Sequence, residues 1–188
     1  MVKQLVIFPI MLCAMACGSS ADSTNATDTK NKDTTELTPK NTASDSLYAT
    51  EGDSLVIPSF AITVNLSELA NKKLAAGKES IIVAAYFNGI PKDTTIKEYR
   101  QEGAVPVATV QRELYAERTA KFEGVKISKA LYDSLADKNI EVLINVFSGR
   151  HTSKDNILDC DIYQDKISAA KGKTITLKGK LLGEKPAK

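Results

Sequence analysis

The chain has no tryptophan and one histidine, His151, in 188 residues. Aromatic residues make up only 6%. That scarcity argues against binding sugars by ring stacking. Any imidazole chemistry must run through His151. Cysteine is almost as rare, with Cys13, Cys17 and Cys160. G-x-S-x-G, H-E-x-x-H and a paired C-x-x-C are all missing, so the familiar motifs of hydrolase, zinc and dithiol chemistry are not present. An excess of one charge is lacking too: 25 Lys+Arg stand against 23 Asp+Glu. A basic footprint for nucleic acid is therefore absent, and no acidic tail stands out. No long apolar run follows residue 17, so nothing later in the sequence is a membrane span.

What is present begins with Met1 to Cys17. Lys3 supplies a positive charge, Leu5 to Ala16 is apolar apart from Pro9, and small residues stand at Ala14 and Ala16. The run is too short to cross a bilayer as a mature helix and fits the three regions of a secretory signal.

Ala14-Met15-Ala16-Cys17 resembles the bacterial lipobox, the cleavage site of lipoprotein signal peptides. The resemblance covers only Met1 to Cys17; that family prefers Leu where Ala14 stands, and its small residues before Cys17 match. It implies cleavage before Cys17 and fatty acyl chains, such as palmitate, on the sulfur and the new amino group. It also implies a bacterial source, and Gly18 in place of Asp after Cys17 implies the outer membrane. One acyl chain binds a membrane only marginally, so stable anchoring takes two or more. Two other readings stay open. Ala14-x-Ala16 satisfies the ordinary A-x-A cleavage rule, which would release a soluble protein with a free Cys17. A spanning anchor is opposed by length and by Pro9.

Without the first sixteen residues, 172 remain, enough for one domain and a tail. Loss of Cys13 with the signal and use of Cys17 for lipid leave Cys160 alone, so no intrachain disulfide is expected. An exported domain of this kind is held by its core.

Residues 17–52 are expected to be the lipidated cysteine and a disordered polar tether. Gly18 to Thr50 is dominated by Ser, Thr, Asn, Asp and Lys, with Leu37, Leu47 and Tyr48 the large apolar exceptions. Too little surface can be buried there to offset chain entropy. A flexible tract of this length would span roughly 30 Å root-mean-square.

The folded domain is expected over 53–183, with a frayed tail at 184–188. Phe60, Ile62, Val64 and Leu66 alternate, which marks a half-buried strand, and Pro58 gives it an edge or irregular start. Ser67 can cap a helix over Glu68 to Ala76 that Gly77 ends. Ser80 to Phe87 is an almost continuous apolar strand closed by Asn88-Gly89. Pro91 to Gly103 reads as loop. Val105 to Tyr115 reads as a strand with imperfect alternation, and Thr119 to Ile127 as another with Gly124 as a bulge. Ser128 can cap a helix over Lys129 to Ala136 with Leu131 and Leu135 on one face. Ile140 to Phe147 is a strand, Asp155 to Gln164 fits either state, and Lys173 to Leu182 is a last strand.

Two segments share a plan. Val64-Asn-Leu-Ser67, Leu74-Ala75 and Ile82 to Gly89 match Val125-Lys-Ile-Ser128, Leu135-Ala136 and Val142 to Gly149, about 60 residues on. Duplication and convergence of two similar local structures both fit. The expected fold is mostly β: a β-sandwich with two short helices and this strand-helix-strand repeat. A mixed α+β layer fold is the alternative.

Three chemical arrangements merit weighing. His151 and Cys160 could form a base and nucleophile, but Asp159 and Asp161 flank the thiol and disfavour its thiolate. Asp155, Asp159, Asp161 and Asp165 are acidic enough for calcium, yet their spacing does not match an EF-hand, and solvated carboxylates are the default. Gly172-Lys-Thr174 echoes the end of a phosphate-binding loop, but Ile167 replaces the first Gly and a strand follows. No catalytic residue and no cofactor is expected. The sequence reads as a lipid-anchored extracytoplasmic binding or scaffolding protein, with the membrane and an envelope protein as partners. A hydrolase without a familiar motif and a soluble secreted binding domain are the alternatives.

Overall fold

A computed structural model describes residues 46–185. The signal segment 1–16, Cys17, the tract 18–45 and the last three residues lie outside the described residues.

The domain is mostly β. Its strands are β1 (Ala49–Glu51), β2 (Ser54–Val56), β3 (Phe60–Leu66), β4 (Ile81–Gly89), β5 (Val105–Leu114), β6 (Thr119–Phe122), β7 (Lys126–Ser128), β8 (Glu141–Ser148), β9 (Leu158–Cys160), β10 (Tyr163–Lys166) and β11 (Thr174–Leu181). Four short helices join them, not two: α1 (Glu68–Gly77), α2 (Lys97–Glu102), α3 (Lys129–Asp133) and α4 (Ile167–Ala170). Among the described residues the strands form two four-stranded sheets, β6-β3-β11-β9 and β10-β8-β4-β5, and a three-stranded sheet, β1-β2-β7.

The two larger sheets share one core. Phe60, Ile62, Val64 and Leu66 alternate inward on β3 as their spacing predicts, and all four are buried. Across from them Val83, Ala85 and Phe87 of β4 are fully buried. Phe60 meets Phe87 edge-on at 6.3 Å between ring centroids and stacks on Phe122 at 5.0 Å. β4 sits between β5 and β8, which explains its apolar run: its even positions face outward. There Ile82 lies opposite Phe147, and Tyr86 opposite Leu143. These four are half-buried, and Ala84 between them is sealed.

The structure corrects the domain boundaries. The expected tether ran to residue 52, yet Tyr48 is buried, and its hydroxyl accepts a hydrogen bond from the Ile140 N–H at 3.2 Å. Its ring packs edge-on against Tyr132 at 5.0 Å, and Ala49–Glu51 form β1 beside β2. At the other end Glu184 is not frayed: its carboxylate accepts from Ser67 Oγ at 2.8 Å and from the Leu181 N–H at 2.9 Å.

Several elements depart from their expected form for identifiable reasons. Ser67 caps α1 by accepting from the Ala70 N–H at 3.1 Å, but Lys78, not Gly77, takes the left-handed position that ends the helix. The imperfect alternation of β5 comes from a register shift: Phe87 pairs with Ala108 and Asn88 with Pro106, so Val107 is an extra residue. The expected strand Thr119 to Ile127 is two strands. Gly124, at φ +64°, turns the chain out of the sheet with β3 and into the one with β2. The second expected helix stops at Asp133, and Leu135 is fully buried beyond its end. The span Pro91 to Gly103, expected as loop, contains α2. The ambiguous span Asp155 to Gln164 supplies β9 and the start of β10.

The two similar segments share a local plan. Each runs from a strand through a Ser-capped helix into the central sheet, where β4 and β8 pair antiparallel. Their first strands differ in placement: β3 belongs to a four-stranded sheet and β7 to the three-stranded one.

Candidate functional site

Strand β4 begins where its antiparallel neighbour β8 ends, with Ile81 opposite Ser148. Beyond that pair the chain bends sharply. The Gly149 N–H donates to the Ser80 carbonyl at 2.9 Å, and a Cβ at Gly149 would collide with Ser80 Oγ. Arg150 follows in the left-handed region at φ +61° and lays its guanidinium 5.5 Å over the Phe147 ring. This bend presents His151.

Two carboxylates hold the bend. Glu79, only 4% exposed, accepts from the His151 N–H at 3.0 Å, the Thr152 N–H at 2.8 Å and the Thr152 hydroxyl at 2.9 Å. Burial alone would raise its pKa, but these donors outweigh it and hold the carboxyl down at about 2. Glu113, on the neighbouring strand β5, accepts from Ser80 Oγ at 2.5 Å, and the same oxygen lies 2.5 Å from His151 Nε2. Ser80 and then His151 hold Glu113 below the usual carboxylate range. The bond to Glu113 in turn raises His151 above its ordinary value. Tyr115 stacks on the imidazole with centroids 6.3 Å apart. The base of the loop is tied by Asn156, whose Oδ1 accepts from the Ser148 N–H at 2.9 Å.

The order of contacts decides what this corner can do. A serine nucleophile needs a base on its hydroxyl and an orienting group behind that base. Here the carboxylate stands in the middle, between Ser80 and His151, and Ser80 is fully buried. Glu113 with a depressed pKa is a poor base. The arrangement is a clamp that leaves one face of a half-exposed imidazole beside an exposed tyrosine.

The other sequence-derived candidates are not brought together. Cys160 makes no hydrogen bond or ion pair with His151; it packs against Gly179, where a Cβ would come within 2.5 Å of its sulfur. Burial, with Asp159 and Asp161 adding to it, pushes the thiol up to about 11. The thiolate that a Cys–His pair requires is thus disfavoured. Asp159 points to Lys180 at 3.6 Å, Asp161 accepts from the Lys178 N–H at 3.0 Å, and Asp155 stands in the loop before β9. Among the described residues no group of three or more His, Cys, Asp or Glu is gathered for a metal. Cys17 lies outside the described residues.

At the opposite end of the central sheet a pocket of about 240 Å³ is lined by Asn88, Glu102, Asp137, Glu141, Gln164 and Lys166 among others. Lys166 donates to Asp137 at 2.6 Å and Gln164 to Glu141 at 2.8 Å, so these groups are engaged with one another. No buried polar side-chain atom among the described residues lacks a partner.

Sequence reasoning singled out His151 and missed Glu79, Ser80 and Glu113. Glu79 meets its partners from 72 residues away and Glu113 from 38. No local spacing could have joined them. The chain matches no family model, and no curated protein or solved structure matches it.

Proposed function

We propose that the chain is a lipid-anchored extracytoplasmic protein that binds or scaffolds a partner in a bacterial cell envelope, at the outer membrane. The observation that carries this reading is Ala14-Met15-Ala16-Cys17 at the end of a short apolar run behind Lys3. Support for binding rather than chemistry comes from the engaged polar groups described above. Ser80 is sealed, Cys160 is protonated at neutral pH, and the carboxylates of the His151 corner are bound internally. The strip Ile82, Tyr86, Leu143 and Phe147 on the outward side of the central sheet, with Arg150 over Phe147, has the aromatic and arginine composition of interface centres.

Metabolic labelling with a palmitate analogue, followed by fractionation, tests the anchor. Wild type should be labelled and leave membranes only in detergent. Cys17→Ser should lose the label and either stay unprocessed or become soluble after cleavage at Ala16. Equal labelling of both, or a wild type found wholly in the soluble fraction, would leave the A-x-A reading and a freely diffusing protein in its place.

A further inference from the structure

The three adjacent strands β6, β3 and β11 contain no aspartate or glutamate. Their outward positions carry hydroxyls and lysines. Thr119 and Thr176 flank Thr63 across the sheet, and Lys121 and Thr174 flank Ala61. Lys178 lies beside Asn65 in the same register. Lys171 and Lys173 lead into β11, and the Lys173 carbonyl accepts from the Ala61 N–H at 2.9 Å. Lys121, Lys171, Lys173 and Lys178 are all exposed, and none forms an ion pair among the described residues. The acids beside this face are Glu123, just after β6 in the hollow with Lys121 and Lys173, Asp159 on β9, and Asp161 just after β9, which accepts from the Lys178 N–H at 3.0 Å. Asp159 is paired with Lys180. In a chain with almost balanced charge, these three strands are therefore basic, with their acids confined to the flanking residues Glu123 and Asp161.

The described chain begins beside one end of that face. Ser46 and Leu47 line a hollow with Pro58, Ser59, Lys171 and Gly172, and Ser59 and Gly172 continue into the neighbouring hollow beside Lys121, Glu123 and Lys173. The chain running back toward Cys17 departs from Ser46.

We infer that the β6-β3-β11 face is a docking surface for an anionic phospholipid bilayer. Its lysines meet headgroup phosphates and its threonine hydroxyls donate to them. This rests on the lipid-anchor reading for its biological setting, since a tether from Cys17 that joins the described domain at Ser46 keeps this end within reach of the headgroups. A lysine near an anionic surface raises partitioning by roughly fivefold, so four of them opposed by Glu123 and Asp161 make a weak contact alone. The contact becomes effective when a tether supplies the local concentration.

The test reads anchor and face separately. Acylated wild-type protein is reconstituted into phosphatidylcholine vesicles and into vesicles with 30% phosphatidylglycerol, and amide exchange is compared at low and high salt. Segments 59–63, 119–123 and 171–178 should exchange at least threefold more slowly on the anionic vesicles, and 0.5 M salt should erase the difference. In parallel, the chain begun at Gly18, which carries no acyl group, is sedimented with the same vesicles. It should partition at least tenfold better onto the anionic ones, and Lys121→Glu/Lys173→Glu should abolish that preference at an unchanged melting temperature. Failure of the acylated preparation to enter either vesicle would overturn the anchor reading while the second arm still reads the face. Equal exchange and equal sedimentation on both vesicle types would overturn the docking surface whatever the state of the anchor.

Discussion

At the scale of single residues, Gly149 shows how a backbone approach fixes a site. A Cβ there collides with Ser80 Oγ and comes within 3.2 Å of Glu113 Oε1. Gly149→Ala should therefore lower stability by about 1–3 kcal/mol, the range for overpacking. Denaturant unfolding checks this, and a change under about 0.5 kcal/mol would mean that the bend simply moves aside. Glu79 and His151 give opposite pH signatures. Glu79 titrates lower in the folded protein than the usual 4.5, at about 2. Its contribution is fully present above the unfolded value and is lost as pH falls through the folded one. The stability gap between wild type and Glu79→Gln should thus shrink steadily below pH 4.5 in acid titrations; a constant gap would contradict it. His151 is raised by its bond to Glu113, so its contribution is full below the unfolded value near 6.5 and fades as pH rises through the folded one. The ring proton shifts of His151 should give a midpoint above that of a free imidazole, moving down in Glu113→Gln.

At the scale of elements, what the sequence revealed and what it hid divide by range. The inward row Phe60, Ile62, Val64 and Leu66 was legible because strand alternation is a local signal, and so were the Ser67 and Ser128 caps. Gly124 was visible as punctuation, but whether it bulges one strand or hands the chain between two sheets depends on partners far away, β3 and β2. The bulge at Val107 was seen only as spoiled alternation. Leu135 was placed on a helix face by its spacing from Leu131, and it is buried for another reason. It lies beyond the end of α3 against Gly89, where a Cβ would come within 2.7 Å of its Cδ1. Leu135→Ala should cost about 2–5 kcal/mol, as for other sealed leucines. Measured loss near zero would mean that the region around Gly89 collapses onto the gap.

At the scale of the whole molecule the question is where the independently folding part begins. Composition placed that boundary at Asp53, because the preceding tract is polar and its few large apolar residues looked too sparse to build a core. Tyr48 overrides the average. Its ring is 4% exposed, packs on Tyr132 and carries the hydroxyl that receives the Ile140 N–H, 92 positions along the chain. A segment average cannot register one aromatic side chain whose partners are so distant. Two truncations separate the alternatives. A chain begun at Ser46 keeps Tyr48 and β1, and should melt within about two degrees of the chain begun at Gly18. A chain begun at Glu51 loses the ring, its hydrogen bond and most of β1. Removing a buried aromatic costs about 3–5 kcal/mol, and at roughly 2–4 °C per kcal/mol for a domain of this size the melting temperature should fall by about 6–20 °C. Tyr48→Phe isolates the hydroxyl. It leaves the Ile140 N–H buried and unpaired, so it should cost about 1–3 kcal/mol while leaving the ring packing in place. If the Glu51 start melted like the Ser46 start, Tyr48 would be a bystander and the boundary near Asp53 would return.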